Sequence, residues 1–334
     1  MYGVALNGVG KIWFRANFRA ASRPPEPPLS ARQGDARLME DGAKLTTAET
    51  YLAYVREHCG DPDGGTPSSY TKAIEKLCTV FAAAKPAWVP IADVWQMTDP
   101  KAIMDLYEEV KKAQDQFIKY HNGIFLPYKG RGDSYYRKRW CSAALKFFAQ
   151  FRAAEGYEPK FAAALASSTD GATVAAKAEK IDLGNMPGYL PDDIDVTTKE
   201  GKEIVREAKQ RVGQDQFRKW ILGIYDGKCC VTGLDVPAVL RASHIVAWAD
   251  DAKNRMNPSN GLCLSATYDA AFDKHLITFD DQYRMVLSKS LHDHCTTKVL
   301  REYFLAFEGK PISMPLKFQP DLKLLAKHRK KLVA

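Results

Sequence analysis

The side chains best suited to chemistry gather between residues 211 and 288. His244 leaves a run of β-forming residues, Leu240 to Val246, and Asn260-Gly261, Asp269, Asp273 and His275 follow it. Asp269 and Asp273 are four apart and share one helix face. His275, seven beyond Tyr268, falls on the same face but ~10 Å farther along an ideal helix. It joins the others only if the helix ends there and the chain turns back. An imidazole can take a proton as a general base. Oxygen and imidazole donors together can hold a hard divalent cation. Arg211, Arg218, Lys219, Arg241, Lys253 and Arg255 surround these groups in sequence and suit an anionic partner.

These groups need elements to position them. Lys228 to Thr232 reads as a short β-run ending at Gly233, and Leu240 to Val246 as a second that delivers His244. Asn257-Pro258-Ser259-Asn260-Gly261 is a tight turn. Leu264, Tyr268, Ala271 and Phe272 give Leu264 to Lys274 a helical period. Ahead of them, a helix from Thr198 carries Ile204, Val205, Ala208, Val212, Phe217 and Ile221 toward Tyr225. Two short strands, a loop and a helix thus bring His244, Asn260 and the helix face together.

In this order Gln214, Phe217 and Arg218, Cys230-Val231-Thr232-Gly233, Ser243-His244-Ile245, Asn260-Gly261-Leu262 and Phe272-Asp273 resemble the HNH nucleases of the ββα-metal fold. The branch found in bacterial restriction-type proteins is the most similar, and the resemblance covers roughly 80 residues. It implies an endonuclease that hydrolyses DNA phosphodiester bonds and leaves 5′-phosphate and 3′-hydroxyl ends. His244 would be the general base, and the Asn260 amide would hold the loop and orient the His244 ring. A single Mg²⁺ or Mn²⁺ would act as Lewis acid. The resemblance places the family's second histidine, a metal ligand on the helix, at Tyr268, a poor ligand for Mg²⁺. Asp273, then His275, then Asp269 are the groups that could compensate. If none does, the alternative is a catalytically degenerate HNH scaffold that only binds DNA. Arg218 and Arg255 come first as phosphate contacts, then Arg241 and Lys219. No structural zinc is expected, because Cys229 and Cys230 are adjacent while Cys263 and Cys295 stand alone.

The rest of the chain frames this segment. Residues 201–334 carry 22 Lys+Arg against 15 Asp+Glu, residues 1–38 carry 6 against 2 and residues 39–200 carry 20 against 23, so the basic excess lies with the candidate site and the extreme N-terminus. Residues 1–38 mix apolar and basic residues around Arg23-Pro24-Pro25-Glu26-Pro27-Pro28 and read as disordered, or as an extension ahead of a true start at Met39. Residues 39–155 read as four helices, with Lys129, Arg131, Arg137, Lys138 and Arg139 in and after a basic loop. Their pattern is similar to helical modules ahead of catalytic domains in tyrosine recombinases and some restriction enzymes, and suits either DNA binding or dimerisation. Residues 156–200 read as a linker, 201–310 as the nuclease domain and 311–334 as a basic tail. The expected fold is therefore α+β, an N-terminal all-α helical module before a C-terminal ββα-metal domain. No run approaches ~20 apolar residues, which excludes a membrane-spanning helix. Seven cysteines form no disulfide framework and suit a bacterial cytoplasm. The expected partners are DNA and a second copy of the chain.

Overall fold

A computed structural model describes residues 45–59, 64–130, 132–184, 186, 188–191 and 194–332. The expectations for residues 1–38, Met39 and Arg131 fall outside these residues. The molecule is α+β, helix-rich with its small antiparallel sheets toward the C-terminus.

Local sequence signals set the first helices. Thr46 and Glu49 form a capping box at the start of α1 (Thr47–His58). Pro67 sits in the first turn of α2 (Thr66–Ala84), and Asp99 caps α3 (Pro100–Tyr120) ahead of Pro100. The short α4 (Ser134–Arg137) is separated from α5 (Trp140–Ala166) by Arg139, which adopts a left-handed φ of 59°. Tyr51, Phe148 and Phe151 meet edge-on or stacked in the centre of this bundle. Two of the basic loop cations are engaged within the bundle: Arg137 bonds Asp133 and lies over Phe117, and Arg139 bonds Asp115.

The stretch expected to be a linker, 156–200, is instead largely built into the fold. The helix α5 continues to Ala166, and α6 (Gly171–Ala178) follows with Asp170 as its cap. Alanine is the strongest helix former, so the Ala-rich composition favours helix as well as low complexity. Small residues also permit close approach. A Cβ on Gly171 would lie 2.1 Å from the Asn257 side-chain oxygen, so α6 can seat on the loop before β2 only with glycine there. Tyr189 joins Tyr54 and Tyr157 through hydroxyl contacts of 3.0 and 2.6 Å.

The helix α7 (Lys199–Ile224), capped by Thr198, connects the bundle to the C-terminal part. Phe161 of α5 meets Trp220 of α7 at 6.0 Å, and the apolar core runs continuously through both parts. Beyond α7, β1 (Leu240–His244) pairs antiparallel with β2 (Gly261–Ser265), placing His244 opposite Gly261. The helix α8 (Ala266–Asp273) follows directly. A second hairpin pairs β3 (Ile277–Phe279) with β4 (Met285–Leu287), and α9 (Lys289–His294), α10 (Lys298–Tyr303) and α11 (Leu322–Arg329) complete the chain. Among the described residues no helix is long and apolar enough to cross a membrane.

Three expectations are corrected here. Lys228 to Thr232 is a turn rather than a strand: Asp226, Gly227 and Gly233 all have left-handed φ, and the Gly233 amide closes onto the Cys229 carbonyl at 2.8 Å. The partner of β1 is Gly261 to Ser265, part of which the sequence assigned to the helix. Every residue of β2 is buried, so its continuous apolar run carries no alternation to mark a strand. Within the expected tail, residues 311–332 are packed onto the fold. The Ile312 amide bonds the Tyr283 carbonyl, the Ser313 amide bonds the Cys230 carbonyl, and Leu324, Leu325 and His328 are buried on one face of α11.

Candidate active site

The site is built where β1 ends. His244 is half-buried, its ring stacked on Phe217 of α7 at 3.8 Å and edge-on to Trp248 at 5.5 Å. Its Nε2 lies 3.0 Å from the Arg255 carbonyl oxygen. A carbonyl only accepts, so Nε2 carries the hydrogen and Nδ1 keeps the basic lone pair. Burial pushes the imidazole below its ordinary value, opposed by the Arg255 carbonyl. The ring is thereby held neutral at neutral pH, the form a base needs.

Asn260 determines where the Arg255 carbonyl sits. Fully buried, it accepts from the Val246 amide at 2.9 Å and donates to the Val246 and Asn254 carbonyls at 3.0 Å each. One amide thus ties both ends of the loop 246–254 together, immediately beside Arg255. Gly261 next to it is required for packing, since a Cβ there would lie 2.3 Å from Ile221 Cδ1 of α7.

On α8 the structure separates residues that the sequence left together. Tyr268 is fully buried, stacks on Tyr303 at 4.8 Å and donates its hydroxyl to the Tyr303 carbonyl. It belongs to the packing of α8 on α10. The next residue, Asp269, faces β1 instead and accepts from the hydroxyl of Ser243, the residue before His244. One turn on, Asp273 opens onto a cavity of about 430 Å³ that His244 also lines. His275 lines it as well, because α8 ends at Asp273 and His275 takes a left-handed φ of 54° that turns the chain back. His275 Nδ1 lies 3.0 Å from His328 Nε2, which is also 3.0 Å from the Phe272 carbonyl. Burial, with Lys331 nearby, lowers the His275 imidazole, against the pull of Asp273 and Asp250.

The four cations chosen from sequence have other engagements. Arg218 donates to the Leu240 and Pro237 carbonyls at 2.8 and 3.2 Å, bracing the start of β1 from α7. Arg241 donates to the Ala238 and Leu240 carbonyls. Arg255 donates to the Trp248 carbonyl at 2.8 Å and lies over its ring. Lys219 pairs with Glu57 and Glu158 at 3.0 and 2.8 Å, joining α7 to α1 and α5. Lys219 lines a separate, larger cavity of about 890 Å³ between α5, α7 and Leu316 to Phe318, away from His244. Sequence proximity identified these cations, but hydrogen bonding gives them structural work.

Sequence reasoning missed Ser243 as the partner of Asp269, Asp250 and Asp251 on the loop, and the contribution of α11. Lys327, His328 and Lys331 all line the cavity of His244. The available signal was the spacing of Leu324, Leu325 and His328, which marks a packed face inside the basic run.

The donor set suits a hard cation. Asp273 offers a carboxylate on the cavity, and Asp269, one turn earlier and bonded to Ser243, offers a second; a Mg²⁺ site commonly takes only one or two carboxylates, its other positions going to water and substrate phosphate. Among the described residues no three His, Cys, Asp or Glu side chains gather at metal-binding distance. Cys229, Cys230 and Cys263 are buried free thiols, with Cys263 pushed up to about 12 by burial.

The family model for HNH endonucleases matches residues 229–280, a segment that holds β1, the loop, β2, α8 and β3. No curated protein matches the chain.

Proposed function

We propose that this chain, which carries an HNH endonuclease domain over residues 229–280, is a metal-dependent endonuclease hydrolysing DNA phosphodiester bonds. The observation that carries the reading is the convergence of a neutral, oriented imidazole and an α8 carboxylate on one open cavity. His244 Nδ1 takes the proton of a water as its oxygen attacks phosphorus. The Arg255 carbonyl holds the ring against rotation, and Asn260 holds that carbonyl through the loop. As the new phosphorus–oxygen bond forms, the bond to the 3′ oxygen breaks and that oxygen takes a proton from solvent water, leaving 5′-phosphate and 3′-hydroxyl ends. Asp269 and Asp273, with Ser243, would hold a Mg²⁺ or Mn²⁺ ion. Such an ion stabilises charge on the phosphate and the leaving oxygen.

The rival reading, a degenerate scaffold that binds DNA without cutting it, drew its force from Tyr268. The orientation of α8 weakens it, because Asp269 rather than Tyr268 faces β1. Cleavage of both strands needs two such centres, so a homodimer is part of the proposal, in a bacterial restriction or phage-defence setting in the cytoplasm. The test is nicking of supercoiled plasmid with and without Mn²⁺. Wild type should give nicked or linear forms only with the ion, and His244→Ala should abolish them while retaining the fold and DNA affinity. Cleavage retained in His244→Ala would refute the mechanism.

A further inference from the structure

The helix α11 lies beyond the segment that matches the HNH family, yet it forms a wall of the His244 cavity. Lys327 stands in the last turn of α11, and Lys331 follows in the turn beyond its end, its amide bonded to the His328 carbonyl at 3.0 Å. Both line the cavity beside His244, Asp273 and His275. His328 fixes where they stand. Only 3% exposed, it stacks on Phe272 at 3.8 Å and contacts the Phe272 carbonyl and the Thr278 hydroxyl at 3.0 and 2.9 Å. At the other end of the helix, the Asp321 amide bonds the Ser259 carbonyl at 2.9 Å.

Any phosphodiester that reaches His244 must bring its charge into this cavity. Arg218, Arg241 and Arg255 donate to backbone carbonyls, and Lys219 faces two glutamates elsewhere. Among the described residues the ammonium groups lining the cavity are therefore those of Lys327 and Lys331. Each side chain is more than half exposed and bridged to the loop, Lys327 to Asp251 at 3.6 Å and Lys331 to Asp250 at 3.1 Å. Solvent-exposed pairs of this kind are weak and exchange readily. A phosphate replacing the carboxylate preserves the charge pairing and releases condensed counterions.

We infer that Lys327 and Lys331 form a phosphate subsite that holds the nucleic-acid backbone beside the bond presented to His244. Asp250 and Asp251 fill the subsite when nucleic acid is absent. The inference rests on the nuclease reading for its placement, but its binding signature is separable from cleavage.

The test measures binding of a short fluorescent DNA duplex by anisotropy across a salt series, with His244→Ala as the background so that the DNA stays intact. Lys327→Ala/Lys331→Ala should flatten the slope of log affinity against log salt by about 1.8, two phosphate contacts at ~0.9 each. Lys327→Arg/Lys331→Arg should restore the slope. Asp250→Asn/Asp251→Asn should tighten binding, because it frees the lysines. Lys323→Ala/Lys330→Ala, in and just after α11 but not on the cavity, should leave the slope nearly unchanged. Weaker binding in both the lysine and the aspartate variants would make the bridges mere struts and overturn the subsite. Equal flattening by Lys323→Ala/Lys330→Ala would reduce α11 to diffuse charge and overturn it too. If wild type never nicks plasmid yet these binding signs hold, the nuclease reading fails and the subsite stands. If wild type nicks and the slope is unmoved, the subsite alone fails.

Discussion

Replacing Asn260 tests whether the site is organised through its loop. The Asn260 amide makes three hydrogen bonds to backbone groups of Val246 and Asn254 from a fully buried position. Each such bond contributes about 1 kcal/mol net, and a buried backbone group left unpaired costs about 1–3 kcal/mol. Asn260→Ala should therefore destabilise the protein by about 3 kcal/mol, which for a domain of this size lowers Tm by roughly 6–12 °C. Asn260→Asp removes the two donors while keeping the shape, and turns a carboxylate oxygen toward two carbonyls. It should be at least as damaging as alanine. The catalytic effect follows from the Arg255 carbonyl, which loses its fixed position and releases the His244 ring. Plasmid nicking at a temperature where both variants remain folded should fall about 100-fold or more, the scale of a general base that has lost its geometry. Calorimetric Mn²⁺ affinity should change little, because Asn260 directs its amide into the loop rather than toward Asp269 or Asp273. Thermal melts, nicking rates and metal titration separate these outcomes. A folded Asn260→Ala protein with wild-type Tm and rate would refute the loop argument. Unchanged stability with abolished Mn²⁺ binding would place Asn260 among the ligands instead.

Three further expectations follow from the same geometry. Burial lowers the His244 imidazole, so the acid limb of kcat/KM for nicking should lie below the ordinary histidine value of about 6.5, and a limb at or above it would contradict the assignment. Asp269→Ala and Asp273→Ala should each weaken Mn²⁺ binding by calorimetry and reduce nicking, whereas Tyr268→Phe, which removes only the hydroxyl donated to Tyr303, should leave Mn²⁺ affinity unchanged. Burial holds His328 at about 4, so the unfolded chain takes up a proton before the folded one as pH falls below about 6.5. Stability is full above that pH and is lost toward pH 4, by at most about 3 kcal/mol, and His328→Gln should remove this dependence in urea melts taken across that range.

The sequence itself was sufficient for the elements whose signals are local. Thr198 starts the helix that its capping chemistry implies. His244 at a strand end and Asn260 before glycine were legible because a β-run and a turn are short-range patterns. The partner of β1 was not legible. Gly261 to Ser265 is buried on every residue, so nothing in its composition separates a strand from the start of the following helix. Nor was the role of the cations, since adjacency in sequence says nothing about which carbonyl a guanidinium will find.

What the chain determined alone is therefore the inventory: an imidazole, an amide, helical carboxylates and a basic C-terminal half, in an order similar to a known nuclease domain. Only the tertiary structure decided which face of α8 looks at the imidazole, turning Tyr268 into packing and Asp269 toward Ser243. It also decided that α6 and α11, remote in sequence, press on the loop and cavity. The physical reason is that helix rotation and long-range docking are fixed by burial of apolar faces, by the stacking of Tyr268 on Tyr303 and of His328 on Phe272. No local spacing rule contains those contacts.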